Sequence, residues 1–203
     1  MLLRHVLADV LETEPAEIAI ELGHNKRPQL SEPLATEARR RFGLPLDFNL
    51  SSTGGRIACG LAFGARIGVD VEAPRPLDDL HDLARTVLSA EEIAWMGVQH
   101  EPLHAFYRLW TLKEAAAKAH GEGLGLPFPQ LRVQPDDAGG LITDFDVLDS
   151  RAEEWSVLGL EAGGPAALAV HWTDGAPGAI DLAPPLPGGC DLEAITIETT
   201  ARV

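Results

Sequence analysis

The sequence predicts an α+β fold made of two similar halves, each a small antiparallel sheet packed on a long helix. Three observations predict it. The chain has 203 residues, 45% of them hydrophobic, which suits one large domain or two small, closely packed halves. A helical period followed by short alternating strands occurs on both sides of residue 74. Pro74 and Pro76 lie between the two runs and mark a linker. The expected organisation is an N-terminal half over 1–73, a C-terminal half over 74–175 and a Pro/Gly-rich tail over 176–203.

Taken in order, Leu3, Val6, Leu7, Val10 and Leu11 recur at helical spacing over 2–12. Residues 18–22 alternate as a short strand, and 24–30 read as a polar turn. Residues 34–42 read either as a short helix or as a basic, irregular segment carrying Arg39, Arg40 and Arg41. Residues 48–53 form a strand end running into a turn at Gly54-Gly55, and 56–62 with 65–71 read as a hairpin joined near Gly64. Past the linker, 77–87 is a helix. Ser89 and Glu92 form a capping-box pattern for a second helix over 90–98. The longest helix runs over 103–119 and stops at Gly121. Strands are expected at 131–133, 142–147, 155–160 and 167–172, with a final one at 195–197.

The formal net charge of -15 disfavours nucleic acid as a partner. The cations cluster: residues 1–130 hold 13 of the 16 basic side chains. No apolar run approaches the ~20 residues that span a bilayer. Two cysteines, Cys59 and Cys190, argue against a disulfide scaffold. The expectation is a cytoplasmic protein with no membrane segment. Only three lysines occur, Lys26, Lys113 and Lys118, and two of them fall within one helical segment.

That segment is Trp110-Thr-Leu-Lys-Glu-Ala-Ala-Ala-Lys118, and with Gly68-Val-Asp-Val-Glu72 it carries the chemistry. Asp70 and Glu72, two apart on a strand, leave the same face. Glu114 and Lys118, four apart on a helix, stand one above the other. Lys113 sits about 100° round from Glu114. Three carboxylates that can share a divalent cation, with two ammonium groups for phosphate, describe a magnesium and phosphate site. Each pair alone also reads as plain surface chemistry: strand-end acids, or an exposed ion pair worth ~0.3–0.5 kcal/mol. Gly121, Gly123 and Gly125 read equally as helix-stop and turn residues. The histidines show no trusted metal-ligand spacing, and no Walker, dinucleotide or nucleophile-elbow pattern appears.

Together these segments resemble the two-part signature of 4'-phosphopantetheinyl transferases of the Sfp type. The likeness continues through Gly121-Glu-Gly-Leu-Gly-Leu-Pro127. Upstream, Arg27-Pro28 is similar to the family's Lys/Arg-Pro element, and Phe48-Asn-Leu-Ser-Ser-Thr53 to its Phe-Asn-Leu-Ser-His-Ser element. The resemblance covers about residues 2–172. It implies coenzyme A and Mg²⁺ as ligands, and a fold whose halves face each other across a pseudo-twofold cleft. The implied reaction moves the 4'-phosphopantetheine arm to a serine of an apo acyl or peptidyl carrier protein, releasing 3',5'-ADP. It assigns Asp70, Glu72 and Glu114 to the metal and Lys113 and Lys118 to the phosphates, and Arg27, Ser51, Ser52, Thr53 and Asp70 join the expected coenzyme contacts. The chemistry of the step makes Glu114, or a water it orients, the expected base, and Lys118 the group at the leaving oxygen.

Two positions depart from the pattern. Ser52 stands where the family has a histidine on the 3'-phosphate, and Lys26 where it has glycine. The chain is also expected to begin at the family's second segment, without the usual opening one. A monomeric transferase is expected. The alternatives are a Mg²⁺-dependent hydrolase of the pyrophosphate of coenzyme A or a nucleotide, and a catalytically weak relative that binds coenzyme A or a carrier. Glu114→Gln and Lys118→Ala are each expected to cut turnover far more than stability, to be checked by assay and thermal melts side by side.

Overall fold

A computed structural model describes residues 2–134, 141–142, 148, 154–161 and 163–172. The expected tail, the strand at 195–197 and positions 143–147 lie outside the described residues. The order is α1 (Leu2–Leu11), β1 (Ile20–Leu22), β2 (Pro28–Leu30), α2 (Glu32–Phe42), β3 (Leu46–Thr53), β4 (Arg56–Phe63) and β5 (Ala65–Val71). Then come α3 (Leu80–Val87), α4 (Ala90–Gly97), α5 (Pro102–His120), β6 (Val133–Gln134), β7 (Leu141–Ile142), β8 (Trp155–Glu161) and β9 (Pro165–Trp172). The strands pair as small antiparallel sheets: β1–β2, β3–β4, β6–β7 and the three-stranded β5–β9–β8. The class is α+β, as the sequence predicts.

The helix ends follow the sequence signals. Ser89 Oγ accepts from Glu92 N–H while the Glu92 carboxylate accepts from Ser89 N–H, so two of the orphan donors at the start of α4 are satisfied. Gly121 closes α5 in the left-handed region, φ 103°. Residues 34–42, open between two readings, lie in helix α2. Residues 28–30, read as turn, are strand β2 instead.

The expected hairpin of 56–62 with 65–71 does not form. Strand β4 pairs with β3, Thr53 opposite Arg56. Gly54 and Gly55 both have positive φ, 49° and 82°, the condition for a two-residue turn that matches strand twist. Gly64 is a single-residue corner that cannot reverse the chain, so β5 passes into another sheet. There it meets β9 from the expected C-terminal half, Ala65 opposite Trp172 through Val71 opposite Ala166.

Alternation splits β5 into two faces. Ile67 and Val69 pack with Leu168, Val170 and Trp172. Arg66, Gly68 and Asp70 lie on the other face, under α5. The helix sits so close that a Cβ on Gly68 would lie 1.9 Å from the Ala115 carbonyl oxygen and 2.5 Å from the Ala119 nitrogen. The surrounding positions are small and buried: Ala115, Ala116 and Ala119 on α5, Ala167 and Ala169 on β9.

Gly68→Ala is therefore expected to destabilise the fold by about 3 kcal/mol, the upper range for overpacking. Gly97→Ala, on α4 with nothing near its Cβ position, is the control and is expected to gain up to ~1 kcal/mol from helix propensity. Urea denaturation of both variants checks the pair.

Candidate active site

Strand β9 covers one edge of β5. The other edge faces β3, which makes no ladder with it. Buried N–H and C=O groups along such an edge need partners, and side chains supply them. Asp47 Oδ2 accepts from Ile67 N–H at 2.8 Å, and Asn49 Oδ1 accepts from Val69 N–H at 3.0 Å. Arg27 Nη2 donates to the Ile67 carbonyl at 2.7 Å, and Lys118 Nζ to the Val69 carbonyl at 3.1 Å.

At the end of this edge the acids appear. Asp70 is 5% exposed. Its Oδ1 receives Lys118 Nζ at 2.6 Å and Ser51 Oγ at 2.8 Å. Its Oδ2 is buried and has no donor. Glu72 follows the strand, its N–H donating to the Pro165 carbonyl and its Oε2 accepting from Thr53 Oγ1 at 3.2 Å. Glu114 comes from α5. Burial raises its pKa above the ordinary 4.5; the Lys118 ammonium opposes the rise, and the charges of Asp70 and Glu72 add to it. Residues 51, 53, 70, 72, 114 and 118 thus share one neighbourhood. The described residues hold no group of three or more His, Cys, Asp or Glu already spaced to grip a metal ion.

Other expected site residues are elsewhere. Lys113, assigned to phosphate, is fully buried. Its ammonium donates to Glu92 Oε2 at 2.6 Å and to the carbonyls of Val87 at 2.9 Å and Phe128 at 2.8 Å. All three donors are spent, so Lys113 is a hub joining α3, α4, α5 and the turn at Phe128–Gln130. Glu92 completes it by accepting from Val133 N–H at 2.7 Å. Arg27, also assigned to the coenzyme, is a staple: it pairs with Asp47 at 2.6 Å and donates to the carbonyls of Lys118, Phe48 and Ile67. Ser52 is exposed and, by alternation, on the opposite face of β3 from Ser51 and Thr53.

Lys118 pairs with Asp70, an ion pair with little exposure on the acid side, rather than forming a solvated pair with Glu114. Its removal leaves a buried charge unpaired. The expectation that Lys118→Ala would spare stability is therefore corrected.

The sequence reading missed Asp47, Asn49 and Glu92. A signal existed for the first two: polar side chains at 47, 49, 51 and 53 alternate with Phe48 and Leu50 on one strand.

A family model described as the 4'-phosphopantetheinyl transferase superfamily matches residues 66–172. The chain is 28% identical over 162 residues to 4'-phosphopantetheinyl transferase HetI of Nostoc sp. (strain PCC 7120), covering 78% of this chain and 62% of that protein. It is 43% identical over 81 residues to 4'-phosphopantetheinyl transferase AcpT of Salmonella typhimurium, covering 39% and 42%. Among solved structures, holo-[acyl-carrier-protein] synthase of Helicobacter pylori in complex with coenzyme A aligns with a TM-score of 0.37 at 18% identity, over 53% of this chain and 97% of that one. The chain thus spans less than two thirds of the length of these two curated relatives.

Two outcomes follow from the geometry. Lys113→Ala is expected to lose about 3–5 kcal/mol in urea denaturation, the cost of stranding a buried charge. Glu114 binds its proton more tightly folded than unfolded, so its stabilising contribution is complete below pH 4.5 and is lost as pH rises through the higher folded value. Glu114→Gln is expected to remove that pH dependence and to melt no lower than the parent at pH 7 without added cation, as read by calorimetry across pH.

Proposed function

We infer the function from one premise: the chain belongs to the 4'-phosphopantetheinyl transferase superfamily, whose model spans residues 66–172. The reaction we propose is Mg²⁺-dependent transfer of the 4'-phosphopantetheine arm of coenzyme A to a serine of an apo acyl or peptidyl carrier protein, with release of 3',5'-ADP. The observation that carries this reading is the buried, donor-free Oδ2 of Asp70 in one neighbourhood with Glu72, Glu114 and Lys118.

The donor set fits magnesium, since every candidate ligand is a hard carboxylate oxygen. A ready three-carboxylate cage is not required. Mg²⁺ typically takes one or two carboxylates and completes its shell with water and substrate phosphates. Asp70, Glu72 and Glu114 would hold it. Bound there, the ion supplies charge stabilisation for the pyrophosphate and the departing ADP phosphate.

The chain's own residues do the rest. Glu114, or a water it orients, takes the proton from the carrier serine as the serine oxygen bonds to phosphorus and the phosphoanhydride bond breaks. A raised pKa suits a base. The Lys118 ammonium, held by Asp70 and Ser51, neutralises charge on the leaving oxygen. Lys113 and Arg27 take no part in coenzyme contact in this reading.

The finer parts of the proposal are the Sfp type, supported by the order of the sequence elements, and a pseudo-twofold relation between 1–73 and 74–175. The second is supported by each half setting a helix beside a hairpin, α2 by β3–β4 and α5 by β8–β9. The same reading makes the protein a cytoplasmic monomer. No helix among the described residues is long and apolar enough to cross a membrane.

Incubation with coenzyme A, Mg²⁺ and an apo carrier is expected to raise the carrier's mass by one phosphopantetheine arm. Free phosphopantetheine with unmodified carrier would instead make the protein a hydrolase, and binding without product a non-catalytic relative. Glu114→Gln is expected to lower transfer about 10²–10⁴-fold, the usual worth of a positioned base.

A further inference from the structure

We propose that Ser51 and Thr53 are positioning residues for the two β5 carboxylates, not coenzyme ligands. The proposal rests on the reading of Asp70 and Glu72 as cation ligands.

Four side chains on one face of β3 meet the β5 segment in rising order: Asp47 the N–H of Ile67, Asn49 the N–H of Val69, Ser51 the Asp70 carboxylate, Thr53 the Glu72 carboxylate. The first two lock β3 to the β5 backbone. That register delivers the next two hydroxyls to the acids. A hydroxyl has one proton to donate. Ser51 spends its proton on Asp70 Oδ1 and accepts from Lys118 Nζ at 3.3 Å. Thr53 spends its proton on Glu72 Oε2. Neither keeps a proton for a coenzyme phosphate.

The consequence for Asp70 is an asymmetry. Ser51, Lys118 and Asp70 form a closed triangle around Oδ1. The carboxylate cannot rotate without breaking two hydrogen bonds, and Oδ2 is the oxygen left without a donor. Ser51 thus selects which oxygen faces a cation, and Thr53 does the same for Glu72. Such outer partners fix ligand orientation, and their loss costs metal affinity. Ser52 lies on the other face of the strand and has no place in this arrangement.

The test uses the full chain with Ser51→Ala, Thr53→Val and Thr53→Ser. Mn²⁺ binding is measured by electron paramagnetic resonance of the free ion, without coenzyme A or carrier. The Mg²⁺ dependence of transfer and the KM for coenzyme A are measured in parallel. Ser51→Ala and Thr53→Val are expected to weaken Mn²⁺ binding about 10–100-fold, while Thr53→Ser keeps parental affinity. The half-saturating Mg²⁺ concentration is expected to rise alongside, with the coenzyme A KM at saturating Mg²⁺ moving less than about twofold. Unchanged Mn²⁺ affinity with a raised coenzyme KM would overturn the proposal and return both hydroxyls to the coenzyme. Thr53→Val is nearly isosteric and decides the matter if Ser51→Ala fails to fold. A parent that binds Mn²⁺ but transfers nothing would sink the functional reading while the binding series still supports the positioning role. A parent that binds no Mn²⁺ would sink both.

Discussion

No side chain fits between β5 and α5 at Gly68. The strand lies against the helix backbone at Ala115 and Ala119, and Glu114 and Lys118 each immediately precede one of those alanines. Backbone contact at this point sets the reach of both side chains toward the acids at the end of the strand. A larger residue at 68 would lift the helix, and a side-chain carboxylate or ammonium has little slack to follow. The alanines on both surfaces serve the same end, because helix–sheet separation is set by the bulk that intervenes. The site is thus a product of small residues as much as of charged ones.

The division of labour between the two helix lysines follows from where they emerge. Five positions apart, they leave α5 on different sides. Lys113 enters a pocket of three acceptors, one carboxylate and two carbonyls, which matches the three donors of a compact ammonium and not the planar fork of arginine. Lys118 meets a carboxylate, a carbonyl and a hydroxyl, again three acceptors. In a chain whose basic positions are otherwise arginine except Lys26, the two helix lysines have the same geometric reason.

Helices were legible because period, caps and stops are local: the Ser89–Glu92 box and the Gly121 stop appear where the sequence puts them. The pairing of β5 with β9 was not, since nothing near residue 65 encodes a partner a hundred positions away. The hairpin error came from reading adjacency as pairing; the Gly54-Gly55 turn was the stronger signal. That Asp70, Glu72, Glu114 and Lys118 gather in one neighbourhood was legible because i, i+2 and i, i+4 spacing fixes which side chains share a face. Lys113 was misassigned because a buried hub and a phosphate ligand look alike in one dimension. Asp47 and Asn49 escaped because their work, closing a strand edge without a ladder, exists only once β3 lies beside β5.

The most direct test of this account is anomalous diffraction from crystals of the protein soaked with Mn²⁺ and coenzyme A. The account predicts a manganese peak bonded to Asp70 Oδ2 and to carboxylate oxygens of Glu72 and Glu114, with Lys118 still on Asp70 Oδ1. A peak elsewhere, or an Asp70 carboxylate turned away from α5 with no metal beside it, would contradict it.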